Sequence, residues 1–176
     1  VVSDSLRNIM PFEATIGRFC IASKWPLVDA RDAAALSRYS DPRLAPYAHA
    51  ARALVRTPFG TIPVYSVHLP IPREALGAAR WPQPRALIPK LRRSLAERGN
   101  ASAAVSSVVR RSDERFIVAG DFNLPYGSAI LSRDWGDLTN AFARTGTGFG
   151  YTMQAGVFPV RIDHVLTPKA LEPVRT

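Results

Sequence analysis

Cysteine is nearly absent. Cys20 stands alone among 176 residues, which excludes an intrachain disulfide and any cysteine-based metal cluster. It lies in the apolar run Phe19-Cys20-Ile21-Ala22, where a plain buried thiol is expected. Without disulfides, the redox compartment stays open. No apolar run approaches the ~18 residues of a membrane-spanning helix. The first residues, Val1-Val2-Ser3-Asp4-Ser5-Leu6-Arg7, lack the charged-then-apolar shape of a signal peptide. They also lack an initiator Met, so the chain is expected to begin inside a longer one. Internal repeats and low-complexity tracts are missing as well.

What is present is an ordinary globular composition. Apolar residues make up 47% of the chain and charged residues 21%, enough for a real core and too apolar for disorder. One domain over 1–176 is expected. Acidic residues number 14 against 23 basic ones, for a net charge of +9. Such a charge fits a polyanionic partner, nucleic acid or an anionic membrane surface among them. The bland alternative is coding bias, because 20 of the 23 are Arg in a chain also rich in Ala and Pro.

The pattern along the chain is mixed α/β. Thr15–Ser23 reads as a strand closed by Lys24-Trp25-Pro26. Ala30–Tyr47 reads as connection with room for one short helix. Ala51–Thr57 and Thr61–Leu69 form a hairpin pattern around Pro58-Phe59-Gly60, followed by a proline-rich loop. From Arg85 the apolar spacing turns helical (Leu87, Leu91, Leu95, Ala103, Val105, Val108, Val109), with a break expected at Gly99-Asn100. Arg92, Arg93, Arg98, Arg110 and Arg111 would then form a solvated face, or alternatively a nucleic-acid stripe. Strands are expected again at Phe116–Gly120, Gly150–Gln154 and Val160–Thr167. Helices between strands imply a layered α/β sandwich.

Three motifs sit at strand ends. In Ser66-Val67-His68-Leu69-Pro70, alternation puts His68 at the mouth of the sheet, fit to donate to a phosphate or shuttle a proton, or else to serve as a satisfied core histidine. In Gly120-Asp121-Phe122-Asn123, a carboxylate and an amide two residues apart suit a hard cation, a water and a phosphate. An Asx turn or helix cap is the structural alternative. In Arg161-Ile162-Asp163-His164, a charged pair interrupts an apolar strand. An Asp there is suited to orienting an imidazole, and a surface Arg161 ion pair is the plainer reading.

In order and spacing, the three motifs resemble the endonuclease/exonuclease/phosphatase family. Phe19-Cys20-Ile21-Ala22-Ser23-Lys24-Trp25-Pro26-Leu27 is similar to that family's Ser-Arg-Tyr-Pro strand. Phe149-Gly150-Tyr151-Thr152 is similar to its Thr-containing stretch before the Asp-His strand. The resemblance covers about residues 15–168. It implies a DNase I-like four-layer α/β sandwich with two central sheets, incomplete at both ends. It also implies hydrolysis of a phosphodiester or phosphomonoester, on nucleic acid or another phosphate ester, with Mg2+ or Mn2+ as cofactor.

By position, the resemblance implies that His68 binds the scissile phosphate or assists the leaving group. Asp121 would orient or activate water, Asn123 would hold phosphate or a metal-bound oxygen, and Asp163 would orient the catalytic histidine. Asp121 and Asn123 would be the metal ligands, and His164 would pack. The family's N-terminal Asn and metal-binding Glu, and its final Ser-Asp-His, have no counterpart here; Glu13 lies too close to Ser23 to serve. The expectation is therefore a middle segment, crippled on its own. A non-catalytic module of the same fold, binding a polyanion or a protein, is the alternative. A third reading gives the Asp-x-Asn loop a purely structural cation.

Overall fold

The computed structural model describes residues 7–33, 49–72, 84–111, 115–155 and 158–174. A short hairpin opens the chain, β1 (Phe12–Ile16) and β2 (Phe19–Ser23). The single strand expected over Thr15–Ser23 is thus folded back on itself. Gly17, with φ +57, takes the left-handed turn that an L side chain resists. The hairpin also overturns the expectation of a buried thiol. Alternation buries Phe19, Ile21 and Ser23 and leaves Cys20 on the exposed face.

β3 (Leu27–Asp32), β4 (Ala50–Thr57) and β5 (Gly60–His68) follow. The β4–β5 hairpin turns at Pro58-Phe59, as its sequence predicts. β3 is not apparent in the sequence: it is polar, carries Asp29 at φ 52, and shifts register between Val28 and Arg31. The expected connection over 30–47 falls largely outside the described residues, as does most of the proline loop after Leu69. The chain next forms α1 (Pro84–Val109), β6 (Ile117–Asp121), α2 (Ala129–Trp135), β7 (Thr139–Asn140) and α3 (Ala141–Thr145). It ends in β8 (Met153–Ala155), β9 (Phe158–Val160) and β10 (Asp163–Thr167).

Six strands form one sheet in the order β3-β4-β5-β6-β10-β7. Only β5 and β6 run parallel, which requires a crossover, and α1 supplies it. Helices α1 and α2 cover one face. Tyr65 and Val67 of β5, Leu69 just after it, Val118 of β6 and Leu166 of β10 meet Ala101, Val105 and Val109 of α1 and Leu131 and Trp135 of α2. The Phe122 and Trp135 rings meet edge to face at 5.2 Å, and truncating either would cost about 3–5 kcal/mol. The β1–β2 hairpin lies against the sheet at β3–β5. Phe19 and Ile21 of the hairpin are buried, as are Ala51, Ala53 and Val55 of β4.

Helix α1 departs from its expected form twice. It runs unbroken through Gly99-Asn100. Gly99 is a packing point, with the Arg133 guanidinium of α2 donating to its carbonyl at 3.2 Å. The buried side joins Ala101 and the expected Val105 and Val109 to small polar residues, while Leu95 of the expected spacing faces outward. Leu95 is 53% exposed, while Ser94, Ser102 and Ser106 are buried. Ser102 accepts from the Trp135 indole at 3.0 Å, and Ser106 donates to the Asp134 carbonyl at 2.8 Å. Small hydroxyls let α2 approach closely, and those of Ser102 and Ser106 are paired across the contact.

Candidate active site

The register of three strands builds the site. His68 closes β5 and pairs with Asp121, which closes parallel β6. Asp163, the first residue of antiparallel β10, pairs with the same Asp121. Register partners point to one side of a sheet and stand roughly 5 Å apart. His68, Asp121 and Asp163 therefore form a row across three adjacent strands. The row lies opposite the helices, because the alternate residues Val67 and Val118 belong to the helical core. Asp163 is exposed, and His68 and Asp121 are half-buried.

Gly120 makes this register possible. A Cβ built on it would lie 2.1 Å from the Val67 carbonyl oxygen, and its φ is +139. The close approach it permits is to β5 rather than to a ligand. Beyond β6 the chain turns sharply. Asp121 Oδ1 accepts the Asn123 backbone N–H at 2.8 Å, an Asx turn, and Asn123 adopts φ 49, which asparagine tolerates better than most residues. The second Asp121 oxygen has no hydrogen-bond partner among the described residues.

Asn123 is turned inward. It is buried, and its amide nitrogen donates to the Leu69 carbonyl at 2.9 Å, clasping the ends of β5 and β6. Its own carbonyl accepts from Arg98 of α1. Arg98 is thus no part of a solvated face, and burial pushes its pKa down. The loop is stitched to β10 by Phe122 N–H donating to Ile162 O at 3.0 Å and Tyr126 N–H donating to Arg161 O at 3.1 Å.

Asp163 is set by Thr152, whose hydroxyl accepts the amides of Ile162 and Asp163 at 3.1 and 3.2 Å. Arg161 makes no ion pair among the described residues. Its guanidinium carbon lies 4.5 Å from the ring centroids of both Tyr126 and Phe142. His164 packs on the helical side. It is 3% exposed, with Nε2 2.9 Å from the Leu124 carbonyl and Nδ1 3.1 Å from the Asn140 amide nitrogen. A neutral ring donating from Nε2 and accepting at Nδ1 satisfies both contacts, and burial pushes its pKa down.

The sequence reading missed His49. It precedes β4, accepts the His68 N–H on its carbonyl at 2.9 Å, and sets its Nδ1 3.4 Å from the His68 carbonyl. Burial pushes its pKa down, against the hydrogen bond to His68. No alternation pattern marks the residue, since it lies at the end of an irregular connection.

An imidazole and two carboxylates in one row at the open end of a mixed sheet are groups suited to proton transfer and to orienting water. The Endonuclease/Exonuclease/phosphatase family matches residues 11–176, and the chain belongs to that family. No curated protein matches it in sequence. Solved structures share its DNase I-like fold. A beta-hairpin deletion mutant of beta toxin from Staphylococcus aureus superposes with a TM-score of 0.61 at 12% identity, over 97% of this chain and 69% of that one. Sphingomyelinase C from Streptomyces griseocarneus gives 0.58 at 15%, over 94% and 64%. The 3'-5' exonuclease NExo from Neisseria meningitidis gives 0.55 at 18%, over 86% and 62%. A second beta-toxin variant, at 0.56 and 12% over 95% and 65%, holds magnesium ions. The chain spans about two thirds of the length of these relatives or a little less.

Proposed function

We propose that the chain carries part of the active centre of a divalent-metal-dependent phosphoesterase. The observation that carries this reading is the row of His68, Asp121 and Asp163, on strands whose register leaves no other side for them to face. Family membership supports a hydrolase of phosphate esters. His68 donates to a phosphate oxygen or to the leaving oxygen, and Asp121 orients the attacking water. Asp163 aligns an imidazole supplied by the longer protein.

The donor set fits magnesium or manganese in kind. The free oxygen of Asp121 is a hard ligand, and magnesium commonly takes one or two carboxylates and fills the rest of its shell with water and phosphate; Asn123, also expected as a ligand, is turned inward and buried. Among the described residues no group of three or more His, Cys, Asp and Glu side chains converges, so further ligands would come from substrate and solvent or from the rest of the protein. When bound, the ion stabilises charge on phosphoryl oxygens. Asn123 holds the loop that presents Asp121.

The test is hydrolysis of a phosphodiester and a phosphomonoester by the longer protein and by these 176 residues, with magnesium, manganese or chelator. Metal-dependent turnover by the longer protein, strongly reduced in the 176 residues, is expected. No turnover by the longer protein with either metal would overturn the proposal.

A further inference from the structure

Large aromatic side chains are costly to leave in water, and contiguous exposed ones mark interaction sites. Phe149 and Tyr151 are 80% and 52% exposed, yet their rings are ordered against each other. The planes are parallel and the centroids 5.3 Å apart. Neither ring joins the core cluster. The loop carrying them is held in place. Gly148 and Gly150 take φ 77 and 60, and the Phe142 ring fills the space a Cβ would need at Gly146 and Gly150.

The next residue, Thr152, is the anchor that fixes the Ile162 and Asp163 amides. Tyr151, with Phe149 stacked on it, is therefore next in the chain to a group bonded to the backbone of Asp163. On the other side of Ile162 stands Arg161, its guanidinium carbon 4.5 Å from the ring centroids of both Tyr126 and Phe142. Among the described residues no acid neutralises it.

We infer that Phe149, Tyr151 and Arg161 form a subsite for a nucleotide flanking the scissile phosphate, so that the substrate is single-stranded nucleic acid. This rests on the reading of the row as a phosphoesterase centre. An unpaired base stacks on an outward ring face, and the Arg161 guanidinium takes the adjoining phosphate. A duplex hides its base faces except at its ends. The net charge of +9 complements a polyanion. The flanking residues Gly146, Thr147, Gly148, Gly150 and Thr152 are small, and they lack the broad apolar face that an interfacial membrane anchor buries.

Binding is measured apart from cleavage, by fluorescence anisotropy of a labelled oligothymidylate with the 176-residue chain in chelator. The double variant Phe149→Ala/Tyr151→Ala is expected to bind about tenfold more weakly or worse, with an unchanged melting temperature because both rings are exposed. Arg161→Gln should lower the salt slope of binding by about one. A duplex of equal length should bind less tightly than the single strand. Wild-type affinity in the double variant would overturn the inference. So would loss of binding to phosphatidylserine vesicles with oligonucleotide binding intact, which would assign the pair to a lipid surface. Aromatic-dependent binding in a longer protein that hydrolyses no phosphate ester would sink the catalytic reading while sustaining the nucleic-acid subsite.

Discussion

His68 and Asp121 are register partners at the ends of parallel β5 and β6, and both face away from the helices. Their placement owes nothing to a flexible loop. The ladder continues one step past them, with the Leu69 N–H donating to the Asp121 carbonyl at 3.0 Å. The two side chains therefore share whatever rigidity the sheet has, which the role proposed for them needs.

Asp121 closes the Asx turn and, on the proposed function, orients water, and substitution can separate the two. Asp121→Asn keeps an oxygen for the Asn123 N–H and should fold like the parent, while hydrolysis by the longer protein falls at least about a hundredfold. Asp121→Ala loses the same activity and about 1 kcal/mol of stability as well. Urea midpoints and turnover measured on the same preparations check both. Equal stability of the two variants would contradict the Asx turn.

Gly120→Ala should be among the most damaging single changes. Its Cβ meets the Val67 backbone at 2.1 Å and its φ is +139. Strain of this kind costs about 1–3 kcal/mol before the collision is counted. The expected outcome is a large fall in denaturation midpoint or an insoluble product, and a midpoint within error of the parent would refute it.

Acid should weaken the fold through His164. Burial holds its folded pKa below the ordinary 6.5, so on acidification the unfolded chain takes up the proton first. Its contribution is intact above about pH 6.5 and is lost as pH falls from there toward the folded pKa, at no more than about 1.4 kcal/mol per unit. His49 is shifted the same way by burial and adds to the same window. Urea midpoints at pH 7.5 and 5.5 should differ in the parent and differ less in His164→Gln. An unchanged difference would count against the neutral ring.

Arg98→Ala removes the donor to the Asn123 carbonyl. A charged hydrogen bond of this kind is worth about 1.5–3 kcal/mol, and the loop presenting Asp121 loses its tie to α1. Stability and turnover should fall together. Arg92→Ala, on the exposed side of the same helix, should change neither.

The parts legible in the sequence are those fixed by short-range chemistry. The β4–β5 hairpin, the apolar run of β6 and the alternation of β10 are written in neighbouring residues. The order of the three motifs brought His68, Asp121 and Asp163 onto one site, and the structure puts them on one row. What was not legible depends on partners far along the chain. Gly99 looks like a helix breaker until Arg133 lies over it. Arg98 looks solvated until the Asn123 carbonyl comes within its reach. β1 and β2 look like one strand because apolar residues flank Gly17 on both sides, and that misreading hid the exposure of Cys20. The short helices α2 and α3 rest on single side-chain caps, Ser128 and Asn140, which are too weak a signal without the packing behind them.

The parallel pairing of β5 with β6 also sets when the site comes into being. All of α1 lies between the two strands, so their ends meet only after a long loop has closed, at an entropic cost that local hairpins do not bear. Helix α1 and the β4–β5 hairpin can form from neighbours alone, but the row cannot. Competence to bind phosphate should therefore emerge with the last kinetic phase of refolding, after most of the ellipticity has returned.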